Sequence, residues 1–189
     1  LTLEEKISLL SQDQAAVTRL GIRAFKTGTE VLHGVAWLGE ATVFPQAIGL
    51  GSTWNPGLMQ KIGAAVGDEM RGFAFRNPER HGLNVWSPVV DLLRDPRAGR
   101  NEEGVSEDPL LTAKMSVAYS TGLRGDHPFY LKTAPTLKHF FAYNNEDARE
   151  VTDCSIDPRN LREYYWKAFQ GAIAAGTALG VMTSYNLVN

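Results

Sequence analysis

Cysteine occurs once in the 189 residues, at Cys154, so no internal disulfide is available and the fold must stand on packing alone. A single thiol does not fix a redox compartment, because large secreted chains can also lack disulfides. Charge of one sign is equally scarce. Nineteen basic and 21 acidic side chains leave a net charge of −2 with no Lys/Arg stripe, which lacks the electrostatic footprint of a nucleic-acid-binding protein. No apolar run approaches the roughly 18–20 residues that a membrane-spanning helix needs. Neither nucleic acid nor membrane is therefore expected as a partner. The four histidines (His33, His81, His127 and His139) show no short ligand spacing, and with only one thiol no metal site is expected. The phosphate loop Gly-x-x-x-x-Gly-Lys-Ser/Thr and the nucleophile elbow Gly-x-Ser-x-Gly are absent, and Gly49-Leu-Gly51 lacks the third glycine of a dinucleotide fingerprint.

What is present is an ordinary globular composition, 43% hydrophobic and 21% charged, in a chain long enough to bury a core. Helix signals recur at long intervals. Thr2 with Glu5 three residues later forms a capping box for a helix over residues 3–11, with Leu3, Ile7 and Leu10 on one face. Asn55-Pro56 opens a second helix running to about Arg71, Asp108-Pro109 a third running to about Leu123, and Asp157-Pro158 a fourth that stops at Gly176. Between them lie short segments, apolar on both faces, at residues 84–92, 136–141 and 179–185, with a weaker one at 22–27. Strand, loop and helix repeated about four times predict an α/β fold with a buried parallel sheet.

Polar residues cluster after the strands rather than after the helices. Glu30 and His33 follow the first candidate strand, the stretch 94–107 follows the second, and 138–149 overlaps the third. Ligands of parallel α/β folds sit at the carboxyl ends of strands, so this pattern predicts one shared pocket. Residues 94–109 hold three arginines and five acidic residues in 16 positions. Glu107 and Asp108 read as helix-capping charges. Arg100, presented at a strand end, suits bidentate recognition of vicinal hydroxyls or carboxylates. Lys138 and His139 stand side by side inside an apolar strand, where neighbours normally point to opposite faces. An unpartnered buried lysine is expensive, so both must lie at an open strand end or on distorted backbone, unless His139 is simply a satisfied core residue.

Five blocks together resemble the amino-terminal barrel domain of glycoside hydrolase family 3, the exo-acting β-glucosidases and β-xylosidases. In family order they are Glu30-Val-Leu-His-Gly-Val-Ala36, Ala41-Thr-Val-Phe-Pro-Gln46, Arg94-Asp-Pro-Arg-x-Gly-Arg100 with Ser106-Glu-Asp-Pro109, Lys138-His-Phe140, and Val181-Met-Thr-Ser-Tyr-Asn186. The resemblance implies that residues 1–189 are the amino-terminal portion of the domain, a partial (β/α)8 TIM-type barrel of about the first four β/α units. It also implies a retaining exo-β-glycosidase acting on non-reducing-end β-xylosyl or β-glucosyl residues, without a cofactor. Glu30 matches a carboxylate that accepts hydrogen bonds from the sugar's distal hydroxyls. Arg100, Lys138 and His139 match hydroxyl-binding residues, Tyr185 the tyrosine beside the reactive carbon, and Glu103 the residue that orients Arg100. The family's β-glucosidases often carry Asp where Glu30 stands and its xylosidases commonly Glu, which implies a preference for β-xylosides over β-glucosides or acceptance of both.

The family's nucleophile and acid/base correspond to no residue here, so no catalytic carboxylate is assigned; both are expected beyond Asn189. The partners expected are a β-linked glycoside and the remainder of the chain, and residues 1–189 alone are expected to be inactive. Ala98 and Val105 stand where the family usually has Trp and often Tyr, and Asp91 replaces a common Asn. These departures imply a looser loop around Arg100 and keep open a carbohydrate-binding homologue that has lost catalysis.

Overall fold

The computed structural model describes residues 1–188, so Asn189 lies outside the described residues. Three parallel strands form the central sheet in the order β3–β4–β5 (Asn84–Val85, Ala134–Phe140 and Gly180–Thr183). Helix α4 (Pro109–Arg124) lies between β3 and β4 in sequence. A segment comprising α5 (Pro158–Asn160), a π turn (Leu161–Tyr165) and α6 (Trp166–Ala174) lies between β4 and β5. These are two consecutive βαβ units. Helix α4 packs between α6 and α3 (Pro56–Arg76) and also against β4. The core lies in separate clusters: Val66, Met70, Met115, Tyr119 and Leu123 join α3 to α4, while Leu92, Leu137, Phe169 and Ala172 join the sheet to α6.

The three long helices start where the capping residues place them. Asn55 accepts from the Leu58 amide at 3.0 Å, Asp108 from that of Leu111 at 2.6 Å, and Asp157 from those of Arg159 and Asn160 at 2.9 and 3.0 Å. Each occupies an orphan donor of the first turn.

The sheet differs from expectation in two places. The segment 22–27 contributes only β2 (Phe25–Lys26), paired antiparallel with β1 (Asp13–Gln14) apart from the parallel sheet. The chain just beyond it borders β3 instead: the Trp86 amide donates to the Thr29 carbonyl at 2.9 Å. The segment 84–92 makes ladder contacts at Asn84–Val85 and again at Val89, opposite Lys138. Pro88 stands between them and has no N–H to give a ladder.

Helix α1 (Leu3–Ser8) carries the expected capping box, but Leu3, Ile7 and Leu10 are all exposed. The short helix α2 (Ala47–Gly51) lies outside the expected elements.

Candidate functional site

Four strand ends or their following loops converge on one charged cluster. Lys138, near the end of β4, is 1% exposed and donates from Nζ to both Glu30 carboxylate oxygens at 2.6 and 2.7 Å. Burial pushes the Lys138 ammonium below the ordinary lysine range, and Glu30 opposes that shift. His139, 6% exposed, faces Asp91: its Nδ1 lies 2.8 Å from Asp91 Oδ2, and its backbone amide donates to Oδ1 at 3.2 Å. His139 Nε2 lies 3.3 Å from Arg100 Nη1, so the donor arginine faces a ring nitrogen that can accept. Burial raises the Asp91 carboxyl above its ordinary pKa, with His139 and Arg100 pulling the other way.

Arg100 is fixed from several sides. It donates from Nε and Nη2 to the two Glu103 oxygens at 3.0 and 2.8 Å. Its Nη1 lies 3.2 Å from Glu146 Oε1, and its guanidinium sits 5.8 Å from the Tyr143 ring centroid. Burial works against the Arg100 charge, but Glu103, Tyr143 and Glu146 together more than offset it and hold the pKa above the ordinary value. Tyr185 stands at the other end of this network, exposed, with the Arg149 guanidinium 4.8 Å above its ring.

Neighbouring strand residues would ordinarily diverge, yet Lys138 and His139 reach the same cluster. The Lys138–His139 and Phe140–Phe141 peptides are cis, and the register of β4 against β5 shifts between Leu137 and Phe140. The distorted-backbone expectation therefore describes this strand, and Lys138 is buried but paired.

A cavity of about 320 Å³ opens beside Glu30, His33, Trp37, Gln46, Arg100 and Glu103. Its carboxylates accept, its guanidinium donates, and Trp37 presents an exposed aromatic face. Such a set matches a small polyhydroxylated ligand.

The structure thus pairs Lys138 with Glu30, joins Arg100 to Glu103 and His139, brings the two groups together at the Lys138–His139 peptide, and reaches Tyr185 through Glu146 and Arg149. Sequence reasoning assigned no role to Asp91, Tyr143, Glu146 or Arg149. A lone acid closing an otherwise apolar strand is the signal that points to Asp91. Glu146 and Arg149 belonged to a polar stretch too dense to single out. The loop around Arg100 is not loose. Ala98 and Val105 are buried, Val105 within the main core, and the Ala98 carbonyl accepts from the Glu146 amide at 3.2 Å. The segment around Glu146 closes on the loop at Ala98, and Val105 packs against Gly51 of α2, where an added Cβ would lie 2.1 Å from the Val105 carbonyl oxygen. Asp108 caps α4, as its position before Pro109 implied. Among the described residues no group of His, Cys, Asp and Glu is arranged to hold a metal ion, and no helix is long and apolar enough to cross a membrane.

An α/β protein with a charged pocket beside the end of its parallel sheet, large enough for a small polar ligand, is the class that fold and site define. The model of the glycosyl hydrolase family 3 N-terminal domain matches residues 2–189, and the chain belongs to that family. It is 39% identical to β-D-xylosidase 3 of Arabidopsis thaliana over its whole length, covering 26% of that protein. It is 36% identical to β-xylosidase/α-L-arabinofuranosidase 1 of Medicago sativa, again over the whole chain and 26% of the relative. Among solved structures it resembles a family 3 exo-β-xylosidase in complex with a xylobiose aziridine activity-based probe. That match has a TM-score of 0.92 at 32% identity and covers the whole chain and 26% of the other. It also resembles β-glucosidase 3B of Thermotoga neapolitana in complex with α-D-glucose, with a TM-score of 0.85 at 29% identity, over 28% of that chain. The chain therefore spans about a quarter of the length of these relatives.

Proposed function

We propose that residues 1–189 form about the first four β/α units of a (β/α)8 barrel and supply the glycone-binding side of a retaining exo-β-glycosidase. Its substrates are non-reducing-end β-xylosyl or β-glucosyl residues. The observation that carries this reading is the convergence of Glu30, Arg100 and the Lys138–His139 pair of β4 from three parts of the chain, with Glu30 and Arg100 lining a cavity of about 320 Å³.

In this proposal Glu30, its charge held by Lys138, accepts hydrogen bonds from the distal hydroxyls. Arg100, Lys138 and His139 grip the remaining hydroxyls, Glu103 keeps the Arg100 fork in plane, and Tyr185 flanks the anomeric carbon. Charged hydrogen bonds that strengthen as the sugar becomes oxocarbenium-like lower the barrier more than they tighten substrate binding. Bond making falls to two carboxylates outside residues 1–189. One attacks the anomeric carbon. The other protonates the departing oxygen, then takes a proton from the water that releases the sugar.

A binding protein that keeps the pocket without catalysis is the competing reading. A Ser-Asp-Trp type motif within about a hundred residues of continued reading frame supports the enzyme, and its absence supports the binder. The kinetic test uses Arg100→Ala, Lys138→Met and His139→Ala in the complete polypeptide, with aryl β-xyloside and β-glucoside as substrates. Lys138→Met keeps the buried volume, so it separates loss of charge from a cavity. Each replacement is expected to lower kcat/KM about 30- to 1000-fold, equivalent to about 2–4 kcal/mol. Wild-type kinetics for all three would place the sugar elsewhere.

A further inference from the structure

We propose that Glu146 is a positioning residue that sets Arg100 and Tyr185 in register with each other, a role that rests on the glycosidase reading above. Glu146 is anchored first through its backbone and stem. Its amide donates to the Ala98 carbonyl at 3.2 Å, in the loop that presents Arg100. Its Cβ and Cγ pack onto Gly99, where an added Cβ would lie only 2.9 Å from each, and Gly99 has a φ of 94°. The Glu146 backbone and stem are therefore keyed to the Arg100 loop before the carboxylate makes any contact.

The carboxylate then divides its two oxygens. Oε1 lies 3.2 Å from Arg100 Nη1 and accepts from the Tyr143 hydroxyl at 3.0 Å. Oε2 accepts from Arg149 Nη1 at 3.2 Å, and the Arg149 guanidinium covers the Tyr185 ring. Arg149 also donates to the Tyr143 hydroxyl at 3.2 Å, which closes the circuit. Glu146 thus joins the proposed hydroxyl-binding arginine to the proposed anomeric tyrosine.

Donor bookkeeping at Arg100 shows why this matters. A guanidinium has five N–H groups. Glu103 takes one from Nε and one from Nη2, and Glu146 and His139 face the two on Nη1. The Tyr143 hydroxyl also hydrogen-bonds the guanidinium, so most of its donors are committed to holding it in place. Without Glu146 the fork loses the carboxylate on its Nη1 side and keeps only His139 and the Tyr143 ring there, and Arg149 loses the carboxylate that keeps it over Tyr185.

The test is a double-mutant cycle in the complete polypeptide, read as kcat and KM on an aryl β-xyloside with melting temperature as a fold control. Glu146→Ala alone is expected to lower kcat/KM about 10- to 100-fold, mainly in kcat. In an Arg100→Ala background the loss is expected to shrink several-fold, because one of the two groups it positions is gone. Glu146→Gln, which keeps the shape and one acceptor oxygen, is expected to fall between, and it serves if Glu146→Ala fails to fold. Equal losses in both backgrounds, or wild-type kinetics for both Glu146 variants, would overturn the positioning role while leaving the glycosidase reading in place. Wild-type kinetics for Arg100→Ala would remove the glycosidase site itself, and the inference with it.

Discussion

Asp91 is an acid whose carboxyl is raised by burial above its ordinary pKa. Its folded pKa therefore exceeds its unfolded one, so between the two values the folded state binds more protons. Stability is untouched by this group below the unfolded value and declines as pH rises through the folded one. Asp91→Asn removes the titration and leaves an oxygen to accept from His139. The melting temperature of Asp91→Asn relative to wild type is expected to climb as the pH rises above about 4, the ordinary carboxylate value. A difference that stays flat across that range would show Asp91 to be an ordinary carboxylate. Glu30 decides a second matter at this scale. Its side chain is one methylene longer than Asp and is fixed at both oxygens by Lys138; in the proposed glycone site that extra length would take room a hexose hydroxymethyl group needs. Higher kcat/KM on aryl β-xyloside than on β-glucoside is expected, with Glu30→Asp narrowing the gap. A strong glucoside preference left unchanged by Glu30→Asp would contradict this.

Helices α3 and α4 cross backbone on backbone at Gly63 and Gly122. A Cβ on Gly122 would lie 2.2 Å from the Gln60 carbonyl oxygen and 2.6 Å from the Ala64 nitrogen, and one on Gly63 would lie 2.4 Å from the Tyr119 oxygen. Alanine favours helix by up to about 1 kcal/mol over glycine, but here it must push the packed helices apart. Gly122→Ala is expected to cost about 1–3 kcal/mol. Gly72→Ala, on the exposed side of α3 with nothing within 4 Å of its Cβ, is expected to gain about 0.5–1 kcal/mol. Thermal melts of these variants should shift in opposite directions; a gain for Gly122→Ala would show that the helices are free to separate. The helix starts at Asn55, Asp108 and Asp157 were legible because a cap is a local contact between a side chain and the next turn. The π turn at Leu161–Tyr165 was not, because tertiary contacts select it; Tyr165 is buried beside Ala142 and Ile156. Strand β2 was misassigned to the parallel sheet because a short apolar run does not name its partner strand.

At the scale of the whole molecule the sheet ends at β5, which has no neighbour beyond it among the described residues; Leu179 and Val181 beside that edge are exposed, as are Trp166 and Ile173 on the segment before it. An unpaired, apolar parallel strand recruits another chain. Residues 1–189 expressed alone are expected to self-associate by light scattering and to show no turnover of aryl β-xyloside or β-glucoside. A soluble monomer with ordinary glycosidase turnover would overturn both the half-barrel proposal and the location of the nucleophile. By itself the sequence determined the alternation of helices and strands, the caps, and the polar blocks that follow the strands, since each depends on residues within about one turn or one strand of each other. The tertiary structure alone decided that Lys138 meets Glu30 across 108 positions, that Asp91 holds His139 across 48, and that Glu146 binds Arg100 back to its own loop. Such contacts depend on where strand ends converge in space. Hydrogen bonds reach about 3 Å, and no local pattern encodes which distant groups the packing of α3, α4 and α6 brings within that distance.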